Sequence, residues 1–70
     1  MRTLKVYSIG KAELLKEYQI KSSALSADRC RELLNILYPH FKAEKSTLVF
    51  ECNGYTWTQE INRKGTTLYC

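Results

Sequence analysis

The most regular pattern of apolar and polar positions in the chain is a helical stripe near its middle. Ser26 is a typical N-cap residue, because its hydroxyl can accept a hydrogen bond from an unpaired amide of the first turn. Pro39 disfavours the helical conformation in the residue before it. The pattern predicts one amphipathic helix that begins after Ser26 and stops or kinks near Pro39. Apolar residues recur at three- and four-residue spacing at Cys30, Leu33, Leu34, Leu37 and Phe41.

A second pattern, the alternation on both sides of Asn53-Gly54, predicts a β-hairpin. Asn-Gly favours a two-residue type I′ turn, which sets Phe50 opposite Trp57. The facing strands then carry one apolar, largely aromatic face, made of Leu48, Phe50, Cys52, Tyr55 and Trp57. We expect the helix to cover this face. The alternative is that its rings lie open and stack unpaired bases, as in RNA-recognition modules. With the face covered, Tyr7 and Tyr69 are the tyrosines most expected to remain outside.

The remaining segments predict further strands. "TLKVYSI" alternates as a strand, and Gly10 follows as a turn. "AELLKEYQI" is ambiguous between helix and strand; a strand is favoured, with Leu14, Tyr18 and Ile20 buried on one side. After Ile61, "NRKG" reads as a turn and "TTLYC" as a last strand completing a meander.

Together these elements predict an α+β fold in which residues 1–70 form a single two-layer domain. An antiparallel sheet carries one helix, in the order β-β-α-β-β-β. A chain of 70 residues buries only about 60% of its unfolded surface, so the core is expected to be small. No apolar run is long enough for a bilayer span, and the N-terminus lacks a signal-peptide pattern, so a cytoplasmic protein is expected.

Charge supplies the main indication of a partner. Eleven Lys and Arg against seven Asp and Glu give a net charge of +4, which favours encounters with polyanions. Arg63 and Lys64 are expected to project from a turn, and Lys42 and Lys45 to flank the exit of the helix. Taken singly, each cation is better explained as a solvated surface charge. The predicted partner-binding residues are Arg63, Lys64, Lys42, Lys45, Lys5 and Lys11.

Catalytic, metal-binding and cofactor-binding motifs are not predicted. Cys30, Cys52 and Cys70 are widely spaced, and with His40 they do not form the paired ligands of a zinc site. We interpret them as small apolar residues in a reducing compartment, with Cys70 able to form an adventitious dimer. The isolated glycines form no phosphate-binding loop. A non-enzymatic protein without cofactor or metal is therefore expected.

Three stretches carry a resemblance to a known group of proteins. "YQIKSSALSADRCRELL", "TLVFECNGYTWTQEI" and the final "LYC" resemble, in their layout, the small α+β anti-CRISPR proteins of phages and mobile elements that inhibit type I surveillance complexes. The resemblance implies a non-enzymatic blocker acting in the host cytoplasm. Such a blocker uses charged surface residues to occupy a groove meant for guide RNA or target DNA. No specific motif is shared, so no functional residue is carried across.

Two functions follow as hypotheses. The first is an inhibitor that docks on a host protein or nucleoprotein complex and blocks its binding of nucleic acid. The alternative is a small basic DNA- or RNA-binding regulator that contacts phosphates through Arg63, Lys64, Lys42 and Lys45. An accessory subunit or homodimer that pairs through an exposed edge strand is a third reading. None of the three involves a membrane.

Overall fold

A computed structural model describes residues 2–69, and its architecture is the α+β class expected from the sequence. Within these residues there are one helix and six strands, with a short 3-10 turn at Ile9–Lys11 between the first two strands. The strands are β1 (Arg2–Tyr7), β2 (Leu14–Ile20), β3 (Ala24–Leu25), β4 (Lys45–Cys52), β5 (Tyr55–Asn62) and β6 (Thr66–Thr67), and the helix α1 is Ala27–Leu37. The two-residue strand β3 is an addition to the expected order.

The main sheet has four antiparallel strands in the order β2-β1-β4-β5. Its most regular part is the predicted hairpin, in which Phe50 pairs with Trp57 and Cys52 with Tyr55. Asn53 and Gly54 have φ values of 55° and 77°, the positive values that a type I′ turn requires. The hairpin and its register are therefore confirmed.

The helix begins as predicted, with the Ser26 hydroxyl accepting a hydrogen bond from the backbone N–H of Arg29. Cys30, Leu33 and Leu34 are fully buried against the sheet. The helix ends at Leu37, before Pro39. The expectation that Phe41 continues the buried stripe is wrong: because the helix has already ended, its ring is 64% exposed.

Most of the aromatic face of the hairpin lies in the core, as expected, but the expectation is wrong at Tyr55, which lies beside the turn and is 56% exposed. Phe50 is fully buried and Trp57 is 8% exposed, with their ring centroids 5.6 Å apart in a stacked arrangement. Leu4 and Val6 of β1 lie on the same face, because they pair with Cys52 and Phe50. Neither Phe50 nor Trp57 is open to a stacking base. Outside this core, Tyr69 is exposed as expected, whereas Tyr7 is half-buried and donates a hydrogen bond to Glu51.

The segment "AELLKEYQI", which is ambiguous from the sequence, forms the strand β2, as favoured. One residue that was expected in the core is nevertheless exposed. Tyr18 and Ile20 are buried, whereas Leu14 is 48% exposed. The register between β1 and β2 shifts at this point: Val6 pairs with Lys16, but Tyr7 pairs with Leu14. The extra residue, Leu15, forms a bulge that reverses the alternation, and it packs against the core in place of Leu14.

The last strand does not complete a meander. Instead, β6 pairs with β3 in a separate two-stranded sheet, which leaves β2 and β5 as the edges of the main sheet. The Gln59 amide donates hydrogen bonds to Thr66 Oγ1 and to the Thr67 carbonyl, and the Leu68 N–H donates to the Ser23 carbonyl. These bonds hold the chain beside residues 23–25, the segment that precedes the helix, and Leu68 is buried there.

The cysteines differ in state. Cys30 is a free, fully buried thiol, and burial raises its pKa. Cys52 is disulfide-bonded, so the expectation of an apolar thiol is wrong at this position. The odd number and wide spacing of the cysteines gave no pairing signal. Cys70 and its expected exposure lie outside the described residues.

Candidate functional site

Four of the six predicted cations come together at one corner of the molecule. Lys45 at the start of β4 pairs with Asn62 at the end of β5, so the turn after β5 lies beside the segment that follows α1. Two adjacent depressions, of about 580 and 320 Å³, share Arg63 as a lining residue. We call the four side chains the basic corner: Lys42, Lys45, Arg63 and Lys64.

Arg63 is the fixed centre of the basic corner. Its Nε donates a 2.6 Å hydrogen bond to the Ala43 carbonyl, and its Nη2 lies 3.4 Å from Asn35 Oδ1. Its own carbonyl accepts a hydrogen bond from Arg31. Arg63 is half-buried and does not project from the turn as expected. Its guanidinium therefore braces the turn against the helix while keeping its positive charge at the corner.

The three lysines of the corner differ from Arg63 because all are exposed. Within residues 2–69, none of them forms an ion pair. Glu44 is the carboxylate that lines the smaller depression beside Lys45 and Lys64. Four cations against one carboxylate leave a concentrated positive charge that the protein itself does not neutralise.

Lys5 and Lys11, the other two predicted residues, lie elsewhere. Lys5 pairs with Glu51 and Glu17 in neighbouring strands, and Lys11 Nζ lies 3.9 Å from Glu51 Oε1. Glu51 and Lys45 lie near opposite ends of β4, which at the rise of a strand puts them about 20 Å apart. The two lysines therefore do not belong to the basic corner, and both lie beside carboxylates.

The larger depression also contains an aromatic surface that sequence analysis missed. Phe41 is 64% exposed, and its ring centroid lies 5.1 Å from that of Tyr38. The Tyr38 side chain is itself held in place, because its hydroxyl lies 3.0 Å from Ser46 Oγ. Helical spacing had assigned Phe41 to the core, although Pro39 already indicated that the helix stops before it. The depression is lined by Asn35, Tyr38, Pro39, His40, Phe41, Lys42 and Arg63.

A second polar cluster joins β2 to α1, away from the corner. The Tyr18 hydroxyl donates a 2.5 Å hydrogen bond to Glu32, which also lies 3.6 Å from Lys16 Nζ. Burial and the neighbouring carboxylate raise the Tyr18 pKa, and the hydrogen bond from Tyr18 lowers the Glu32 pKa. Arg29 lies over the Tyr18 ring at 4.7 Å. Each polar group here has a partner, so the cluster fastens the helix to the sheet.

Between residues 2 and 69, no group of three or more His, Cys, Asp or Glu side chains is arranged to hold a metal ion. Over the same range, no helix has the length and apolar character that crossing a membrane requires.

Comparison with known proteins gives no relative: no protein-family model, curated protein or solved structure matches this chain.

Proposed function

We propose that the protein is a small non-enzymatic binding protein whose basic corner contacts the phosphates of a nucleic acid. The observation that carries this proposal is the convergence of Lys42, Lys45, Arg63 and Lys64, with three of the four exposed and unpaired among the described residues. Cations that neutralise phosphates release condensed counterions, which drives binding without regard to sequence.

The arrangement suits a phosphate backbone better than a single small anion. The corner has one braced cation and three mobile ones around two adjoining depressions, so several phosphates can be contacted at once. Arg63 is positioned by Ala43 and Asn35, and therefore loses little side-chain freedom on binding. The lysines act as point charges that adapt to the path of a strand.

The basic corner limits how an inhibitor could bind a host nucleoprotein complex. A protein groove that binds guide RNA or target DNA is itself positively charged, so like charges would repel the basic corner from it. An anti-CRISPR-type inhibitor would therefore apply the corner to a nucleic-acid strand within the host complex. Pull-down from a host lysate, with and without nuclease treatment, tests this mode of binding: loss of the captured complex after treatment is expected, and unchanged capture would contradict it.

The direct test is the affinity for a labelled generic oligonucleotide, measured by fluorescence anisotropy at about 0.1 M salt, where the Debye length is about 10 Å. Lys42→Gln with Lys64→Gln removes two free charges without disturbing the Arg63 brace, and is expected to weaken binding about tenfold. The matched control is Lys5→Gln with Lys11→Gln, which lowers the net charge equally but lies away from the corner. We expect the control to change affinity less than about twofold, because its charges are distant and screened.

Equal losses for the two double variants would show that net charge alone, and not the corner, determines binding. Absence of binding by the wild-type chain to both DNA and RNA would contradict the proposal as a whole.

A further inference from the structure

The exposed ring of Phe41 lies beside the basic corner, and the positive charge of the corner does not account for its exposure. Its neighbour Tyr38 contributes to the apolar packing around the core and is anchored at Ser46, whereas Phe41 lies mostly in solvent, with its ring in contact with that of Tyr38 at an interplanar angle of 49°. Because the Phe41 ring already rests against Tyr38, a ligand that stacks on its exposed face costs little additional side-chain entropy. The same depression brings Lys42 and Arg63 beside that ring.

Asn35 adds a polar group to this surface. Its Oδ1 accepts from Arg63, while its Nδ2 makes no hydrogen bond within residues 2–69. A side-chain amide can donate to the carbonyl groups that nucleobases carry on their edges. The depression therefore joins an aromatic face, an amide donor and two cations.

We infer that the corner takes single-stranded nucleic acid, with an unpaired base stacked on Phe41 and the adjoining phosphates on Lys42 and Arg63. This inference rests on the proposed function and specifies its substrate class. Bases of any kind have a π-face, so stacking on one ring is tolerant of sequence. In a duplex the base faces are already stacked on one another, so a duplex can engage the lysines but not Phe41.

The experiment compares three probes of equal length: a single strand, the same strand with abasic sites, and the duplex. Phe41→Leu removes the ring face but keeps an apolar side chain against Tyr38, and Phe41→Trp restores a stacking surface. Phe41→Leu is expected to weaken single-strand binding about five- to hundredfold, and Phe41→Trp to retain it. Binding of the abasic strand and of the duplex should not respond to either change.

The control variant is Tyr55→Leu, which removes another exposed ring, 56% exposed, at the opposite end of β5. It should leave all three affinities unchanged. If the abasic strand binds the wild type as tightly as the normal strand, or Phe41→Leu has no effect, the stacking inference is overturned. The proposed function would survive that result provided that Lys42→Gln with Lys64→Gln still weakens binding. If none of the three probes binds, both fail.

Discussion

The Arg63 guanidinium and the Ala43 carbonyl, joined by a 2.6 Å hydrogen bond from Nε, connect the turn after β5 to the segment after α1. A residue expected to act only through its charge therefore also determines the shape of the corner. Lys64, the next residue along the chain, is exposed and uses its backbone N–H rather than its ammonium group to bond Asn62. The two neighbouring cations have different roles.

This difference predicts opposite outcomes for two alanine variants. Arg63→Ala should lower the free energy of unfolding by about 1–2 kcal/mol, because it leaves the carbonyl of the buried residue Ala43 without its charged donor. Lys64→Ala should change it by less than about 0.5 kcal/mol, as for other exposed sites. Urea denaturation measures both. Equal stability of the two variants would show that the Arg63 brace does not contribute in solution.

Gly65 is predicted to be the glycine least tolerant of substitution. Its φ is +99°, and an added Cβ would lie 3.1 Å from the Leu25 carbonyl oxygen and 3.2 Å from the Ala27 nitrogen. Gly54 has a φ of +77° with open space around it, so Gly54→Ala measures the conformational cost alone. We expect about 1 kcal/mol for Gly54→Ala and a clearly larger loss for Gly65→Ala. Matching losses in thermal denaturation would contradict the close approach of backbone segments at Gly65.

The bulge in β2 predicts which of two adjacent leucines supports the core. Leu15→Ala should destabilise the protein by about 1–2 kcal/mol, less than a fully buried leucine would, because Leu15 is half-buried. Leu14→Ala should have little effect, since Leu14 is 48% exposed. Chemical denaturation of the two variants tests the bulge. Uninterrupted alternation in β2 predicts the opposite result, a larger loss of stability for Leu14→Ala than for Leu15→Ala.

The hydrogen bond between Tyr18 and Glu32 predicts a pH dependence of stability. The folded-state pKa of Glu32 is lowered, so its contribution is present above the ordinary glutamate pKa of about 4.3 and is lost as the pH falls. The folded-state pKa of Tyr18 is raised, so its contribution is present below about pH 10 and is lost as the pH rises. Tyr18→Phe should move the Glu32 pKa back up, as followed by carboxyl NMR titration. An unchanged Glu32 pKa would exclude this hydrogen bond in solution.

The sequence predicted the elements whose signals are local. A capping serine and a proline bounded the helix, and Asn53-Gly54 specified both the turn and the register of the hairpin. It did not predict that β6 pairs with β3, because that pairing depends on bonds from Gln59 that only the folded chain brings within reach. The bulge was missed for a similar reason, because the sequence of β2 is compatible both with uninterrupted alternation and with a register shift of one residue.

For the candidate site, charge selected four residues that the structure brings together, but it also selected two lysines that lie elsewhere and omitted the aromatic ring beside the four. It could not separate Lys5 and Lys11, which lie beside Glu51, from the lysines that lie around Arg63. It also omitted Phe41, because a residue at helical spacing resembles a core residue until the end of the helix is known. Which surface residues lie together depends on cross-strand register, and a single sequence specifies that register only near its tight turns.

The dependence of single-strand affinity on salt tests the central claim most directly. Each phosphate contact on a single strand contributes about 0.7 to the slope of log Kobs against log salt concentration. Wild type and Lys42→Gln with Lys64→Gln are compared over the same salt series. The basic corner predicts a slope that is shallower by about 1.4 in the double variant, if each lysine contacts one phosphate. Identical slopes for the two proteins would contradict it.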